Sequence, residues 1–141
     1  MGTDISSWYL VFIAREKKYW WDYIFCRGKY KHVCALAYDP ELDQWFFYEW
    51  SLYGICITKL DTDHVDAMIV HFHNTESTIL NAIDPDPNYK QFCHPIATCV
   101  SAMKHLLKFR SWAWTPTQLF CAYKKAGASV CFTPTERTIG E

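Results

Sequence analysis

The run Asp84-Pro85-Asp86-Pro87-Asn88 divides the chain into two parts of different character. Its two prolines lack an amide donor and restrict the residues before them, so no helix or strand continues through it. Before the run, segments rich in β-branched and aromatic residues alternate with turn-forming residues, whereas apolar residues after it recur at helical spacing. The chain is therefore predicted to be α+β, with strands first and helices last.

Several segments before this run have the composition of β-strands. Between two of them, residues 39–43 include Asp39 and Pro40 and are typical of a tight connection, which predicts a hairpin. We expect an antiparallel sheet of four or five strands, formed by residues 8–14, 32–38, 44–50, 54–60 and 67–73.

Two main helices are predicted after the run. One begins at Thr98, a favourable N-cap, and apolar residues follow it at helical spacing. The other begins with Thr115 and Pro116, a cap followed by proline at the first helical position, and ends near Gly127. We expect both helices to pack on the sheet.

The composition is that of a globular protein. Of 141 residues, 50% are hydrophobic and 18% aromatic, and only five are glycine, which excludes disordered and collagen-like classes. This length predicts a single domain, residues 1–141. It divides into a strand plus a basic aromatic segment (1–31), a β-meander (32–75), a loop (76–97), a helical part (98–127) and a tail (128–141).

Seven cysteines and the absence of a signal-peptide pattern predict reduced thiols in a protein that is not secreted. No apolar run approaches the length of a membrane span, so we expect no membrane association.

The net charge of −1 is unevenly distributed, since residues 15–31 are basic and residues 39–66 are acidic. Aromatic residues 19–23 lie among the basic ones, an arrangement that suits nucleic acid because bases stack on rings while cations follow phosphates. The same rings would equally pack against a sheet edge, and the net charge gives no overall attraction for phosphate. A nucleic-acid partner is therefore not expected.

Cys99 follows the predicted N-cap and would occupy the first helical position. Unpaired N–H groups and the positive end of the helix dipole stabilise a thiolate there and could also hold an oxyanion. The alternative is a core thiol, because Cys99, Ala102, Met103 and Leu106 share one helical stripe.

A nucleophilic cysteine needs a base and a residue that orients the base. His32 and Glu49 lie near the same end of the predicted hairpin. Pairing Tyr38 with Gln44 would place His32 opposite Trp50, one position from Glu49, so a one-residue change of register decides whether they touch. Both could instead be ordinary polar residues at strand ends.

A histidine on one strand, a polar residue on the next and a cysteine at a later helix start resemble the circularly permuted papain-like cysteine hydrolases. This superfamily includes permuted cell-wall amidases and lecithin-retinol-acyltransferase-like enzymes. The likeness is greatest to small phage-encoded proteins of this type and covers about residues 30–125. It rests on His32-Val33, a strand bearing Trp45, Thr98-Cys99-Val100, Lys104-His105-Leu106-Leu107 and Thr115-Pro116-Thr117-Gln118-Leu119.

The resemblance implies a permuted papain-like fold with Cys99 as nucleophile, His32 as base and Glu49 as orienting residue, for which Asp43 or Asn74 are alternatives. It implies attack on an amide, isopeptide or ester carbonyl through a thioester, with no cofactor. Expected partners are protein, peptidoglycan-like or other acyl substrates, or phage virion and host proteins, in the host cytoplasm or the virion.

Two other classes remain open. A zinc site is suggested by His71 and His73 on one face of a predicted strand and by Cys93-His94, although the spacing lacks a short Cys-x-x-Cys knuckle and no metal is expected. A non-catalytic virion or interaction protein could keep the fold without the activity. That interpretation is favoured if Cys99 and His32 are not within hydrogen-bond reach.

Overall fold

The computed structural model describes residues 7–14, 28–51, 54–90 and 98–133. Within these residues the fold is α+β, with an antiparallel sheet of six strands and three helices. In chain order the elements are β1 Ser7–Ile13, β2 His32–Asp39, β3 Gln44–Ser51, β4 Gly54–Leu60, α1 Thr62–Asn74, β5 Thr78–Asn81, α2 Cys99–Leu106, α3 Pro116–Lys125 and β6 Val130–Phe132.

The strands lie in the order β4-β3-β2-β1-β5-β6, and each neighbouring pair is antiparallel. The first four strands form a meander in which each strand pairs with the next along the chain. The chain then passes through α1 and returns as β5 on the far side of β1. The strand β1 therefore lies inside the sheet, which explains why four of its residues are buried.

The two faces of the sheet carry separate apolar clusters. Side chains alternate along β1, so Leu10 and Phe12 lie on one face while Val11 and Ile13 lie on the other. The first face packs against α2 and α3. The second packs against α1, whose Phe72 is buried there. We call them the α2/α3 face and the α1 face.

The expected sheet of four or five strands with two helices is thus replaced by six strands and three helices. Residues 67–73, predicted as a strand, belong to α1. The missed signal is the cap, because the Asp61 side chain accepts a hydrogen bond from the His64 N–H and starts the helix. Met68 and Phe72, four residues apart, then face the sheet together, which is helical spacing.

The two additional strands lie in segments predicted as loop and tail. The short β5 pairs with β1 through residues 78–81, and β6 pairs with β5 through residues 130 and 132. Strands this short depend on their neighbours rather than on local propensity. Residues 15–27 of the basic aromatic segment, Cys93-His94 and residues 134–141 of the tail lie outside the described residues. None of the described helices is long and apolar enough to span a membrane.

The predicted hairpin is present, with its register shifted by one residue. Tyr38 pairs with Trp45 and Asp39 with Gln44, which leaves residues 40–43 as the turn. The buried Asp39 carboxylate accepts hydrogen bonds from two amides of that turn, and Asp43 adopts a left-handed φ of 47°. These local bonds fix the turn length and, with it, the register.

Candidate functional site

Cys99 is the first residue of α2, as the cap pattern predicts. The Thr98 hydroxyl accepts a hydrogen bond from the Ser101 N–H at 3.2 Å, while the Thr98 N–H donates to the Ser101 hydroxyl at 2.7 Å. This reciprocal pair is a capping box that begins the helix at Cys99. The Cys99 thiol is free and half-buried, and it packs against the cluster on the α2/α3 face.

His32 and Glu49 are in contact. The His32 Nε2 lies 2.8 Å from the Glu49 Oε1, and the two side chains are 12% and 28% exposed. The register explains this, because continuing the Ala35–Tyr48 pairing places Cys34 opposite Glu49 and His32 diagonal to it on one face. In the expected register the two side chains would have pointed to opposite faces.

The structure brings His32 and Glu49 together on the α1 face and places Cys99 on the other. His32 pairs with Ile13, whose side chain belongs to the α1 face. Cys99 packs with the cluster that contains Leu10 and Phe12. The backbone layer of the sheet therefore separates this thiol from the imidazole.

The alternative orienting residues have other positions. The Asp43 Oδ1 accepts a hydrogen bond from the Tyr38 hydroxyl at 2.6 Å within the β2–β3 turn. Asn74 is the last residue of α1. Of the three candidates, Glu49 is the one whose contact with His32 the structure describes.

The zinc hypothesis loses its geometric basis in the described part of the chain. His71 and His73 lie on α1, where residues two apart are rotated by about 200° around the helix axis. Their side chains therefore lie on nearly opposite sides of the helix. Residues 7–14, 28–51, 54–90 and 98–133 contain no group of three or more His, Cys, Asp or Glu side chains arranged to hold a metal ion.

The segment between α2 and α3 presents four exposed side chains, which we call the basic–indole strip: Lys108, Arg110, Trp112 and Trp114. Trp112 is 91% exposed and Trp114 is 66% exposed. The residues between them, at positions 109, 111 and 113, are half-buried or buried. This alternation turns every second side chain toward solvent, while within the segment the Ser111 hydroxyl accepts a hydrogen bond from the Ala113 N–H at 3.0 Å.

The inner side of the strip is held by a buried lysine. The Lys104 ammonium donates to the Ser111 carbonyl at 3.0 Å and to the Ala113 carbonyl at 2.9 Å, and only 7% of this residue is exposed. Burial lowers the pKa of Lys104. The Phe109 ring packs edge-on against Tyr123 with centroids 4.8 Å apart. The backbone of the strip is therefore fixed by side chains beneath it.

Helix caps hold both ends of the strip. At the α2 end, the Phe109 N–H donates to the Lys104 carbonyl at 3.0 Å and the Lys108 N–H to the His105 carbonyl at 3.4 Å, with Lys108 at a left-handed φ of 49°. This is a Schellman cap with lysine where glycine is usual. At the α3 end, the Trp114 N–H donates to the Gln118 side chain at 2.9 Å.

Sequence reasoning missed the strip, although a signal was present. In Lys108-Phe109-Arg110-Ser111-Trp112-Ala113-Trp114, large polar or aromatic residues alternate with smaller or apolar ones between two capped helices. Period-two alternation in a connection indicates a segment with one packed face and one exposed face.

Comparison with protein-family models, with curated proteins and with solved structures finds no match for this chain.

Proposed function

We propose that the protein acts by binding and not by catalysis, and that the basic–indole strip is its contact surface. The observation that carries this proposal is the exposure of two tryptophans on a backbone fixed from beneath. Leaving one large apolar side chain in water forgoes roughly 1.5–3 kcal/mol of burial free energy. Tryptophan and arginine are also the residues most enriched at binding hot spots.

The separation of Cys99 from His32 supports the same conclusion. A cysteine nucleophile needs its base within about 3 Å, directly or through one water. Unliganded sites are often looser than this, but loosening moves side chains within one face of a sheet and does not carry them through it. The His32–Glu49 pair is then a polar contact on the α1 face.

A second candidate function is the cysteine-dependent hydrolase implied by the resemblance to permuted papain-like enzymes. Two observations favour it: Cys99 begins a capped helix, and His32 contacts a carboxylate as a base does in such enzymes. On this hypothesis Cys99 attacks an acyl carbonyl and His32 transfers the proton. This second candidate function also includes the proposal that the sheet and helices have a permuted papain-like arrangement.

The pH dependence of Cys99 alkylation separates the two candidates. The protein and its His32→Ala and Glu49→Gln variants are treated with iodoacetamide across pH 5–9, and each modified cysteine is located by mass spectrometry. Cys121, exposed on α3, is the internal reference thiol, and His64→Ala is the matched control for loss of a histidine. Binding without catalysis predicts that Cys99 labels with the same pH profile in all four proteins.

A contrary result is equally specific. If Cys99 labels faster than Cys121 well below pH 8.5, the ordinary pKa of a thiol, and loses that advantage in both His32→Ala and Glu49→Gln, the pair activates the thiol. The hydrolase would then replace the binding function proposed here.

A further inference from the structure

We propose that the basic–indole strip binds single-stranded nucleic acid, with unpaired bases stacked on Trp112 and Trp114 and phosphates held by Lys108 and Arg110. This inference rests on the proposed function and names the partner of the same surface. It concerns a different part of the chain from residues 15–31, most of which lie outside the described residues.

The spacing of the exposed side chains suits an extended single strand. The exposed side chains follow one another at every second residue from Lys108 to Trp114, and residues two apart lie at most about 6.8 Å from each other along a backbone. The two cations occupy one half of the strip and the two indoles the other. A single-stranded nucleic acid lying along the strip would therefore find cations for its phosphates and indole rings for its bases within a few nucleotides.

Stacking selects single strands. An indole face that is open to solvent can accept the π-face of any base, but in a duplex those faces are already covered by neighbouring base pairs. Trp112, 91% exposed, has the open ring that this contact needs. The strip carries too few cations to hold a duplex by its phosphates alone.

The fixed backbone favours binding for an entropic reason. Ordering a flexible loop on a ligand reduces affinity, whereas a segment already held by Lys104 and by two helix caps loses little freedom. Lys104 makes no contact with the ligand in this proposal and acts as a positioning residue.

One neighbouring segment limits the electrostatic contribution. The Asp86 N–H donates to the Lys108 carbonyl at 3.1 Å, so residues 84–90 lie beside the basic end of the strip. The Asp86 carboxylate accepts a hydrogen bond from the Asn88 N–H. The affinity is thus expected to depend on salt only as far as two phosphate contacts allow. For single strands two contacts give a slope of about −1.4 in log K against log salt, or about a 7-fold loss of affinity between 50 and 200 mM.

The test is a titration of the whole chain with a single-stranded DNA of eight thymidines, followed by tryptophan fluorescence at 50 and 200 mM salt. Stacking is expected to quench the fluorescence. Trp112→Ala and Trp114→Ala should each weaken binding roughly 5- to 150-fold, the range for loss of one stacked base. Trp112→Phe keeps a ring and should lose less than Trp112→Ala.

The charge variant is Lys108→Asn together with Arg110→Asn, because asparagine tolerates the left-handed conformation of residue 108. It should remove most of the salt dependence. The matched control, Lys124→Asn with Lys125→Asn, removes the same charge from exposed positions near the end of α3 and should leave the affinity within twofold. Circular dichroism of each variant checks that the fold is kept.

Four outcomes would overturn the proposal: no quenching by the oligonucleotide, binding that is unaffected by both tryptophan substitutions, equal affinity for a G·C-paired DNA hairpin, or binding to anionic lipid vesicles with none to the oligonucleotide. In each of these cases the Cys99 alkylation profile still reports separately on the proposed binding function. An alkylation profile that depends on His32 would overturn that function itself.

Discussion

Replacing Lys104 with methionine tests whether the buried ammonium holds the basic–indole strip in place. Methionine keeps most of the apolar stem, so the substitution removes the charge and its two hydrogen bonds without opening a large cavity. Each hydrogen bond from a charged donor contributes about 1.5–3 kcal/mol, which gives a gross loss of roughly 3–6 kcal/mol. Removing a buried ammonium also relieves its desolvation, which offsets part of that loss. We expect Lys104→Met to lower the free energy of unfolding by about 2 kcal/mol.

Two measurements check this value. Urea unfolding followed by circular dichroism gives the global change, and the rate of tryptic cleavage after Arg110 reports local opening of the strip. Cleavage through an opened state should accelerate by up to about 30-fold for 2 kcal/mol. Lys124→Met, at an exposed position on α3, is the matched control and should change the free energy by less than about 0.5 kcal/mol. A Lys104→Met protein as stable as the wild type, with unchanged cleavage at Arg110, would refute the reasoning.

The same pair of proteins has a defined pH dependence. Burial lowers the pKa of Lys104 below its ordinary value of 10.5, so between the lowered pKa and 10.5 the folded state binds fewer protons than the unfolded state. Stability rises with pH in such a window. The free energy of unfolding of the wild type relative to Lys104→Met should therefore increase as pH rises through the lowered pKa toward 10.5.

Three further predictions concern local contacts. Lys108→Gly should raise the free energy of unfolding, measured in urea, by about 0.5–1 kcal/mol, because glycine adopts the left-handed φ of 49° without strain. Gly127→Lys, at the equivalent cap of α3, should lower the free energy of unfolding. Equal stability of Lys108→Gly and the wild type would contradict this prediction. Tyr123→Phe should lower the free energy of unfolding by about 1 kcal/mol, since the Ile83 N–H loses the hydroxyl that accepts its hydrogen bond at 3.0 Å; Tyr89→Phe, at a less buried site, is the comparison. Hydrogen bonds from His64 lower the pKa of Asp61 from 3.8. The contribution of the Asp61 carboxylate to the stability of α1 should therefore be present above pH 3.8 and be lost as pH falls through the lowered pKa. An acid titration followed by circular dichroism, compared with Asp61→Asn, would reveal this loss.

The sequence predicts α2 and α3 well because their start signals are local. Thr98 and Thr115 each cap a helix through a hydroxyl that accepts the N–H three residues later, and proline stands at the first position of α3. Such bonds depend on a few neighbouring residues and not on the rest of the fold. The hairpin of β2 and β3 is predicted for the same reason.

The sequence does not predict α1, because its apolar residues fit two structures. Ile69 and Val70 favour a strand, and the alternation around Phe72 supports that interpretation. The cap at Asp61 and burial of Met68 with Phe72 against the sheet decide for a helix. Packing of this kind cannot be predicted from the sequence of α1 alone, because it depends on the position of the sheet.

The one-residue shift of the hairpin shows why the candidate catalytic residues were harder to predict than the elements that carry them. Order along the chain specifies a histidine, a carboxylate and a cysteine. The face of the sheet on which the histidine and the carboxylate lie depends instead on whether their positions along the strand are odd or even. The shift brings His32 and Glu49 to a common face, and that face is the one covered by α1. The positions of β2 and β3 on the α2/α3 face are odd in β2 and even in β3. They hold Val33, Ala35, Ala37 and Asp39 in β2 and Gln44, Phe46, Tyr48 and Trp50 in β3. None of these is a histidine, and the carboxylate among them, Asp39, accepts hydrogen bonds from the amides of the β2–β3 turn. Residue order therefore predicts that Cys99 meets His32 and Glu49, whereas the odd or even positions of those two residues place them on the face opposite Cys99. The packing of Cys99 with the cluster on the α2/α3 face supports the second expectation.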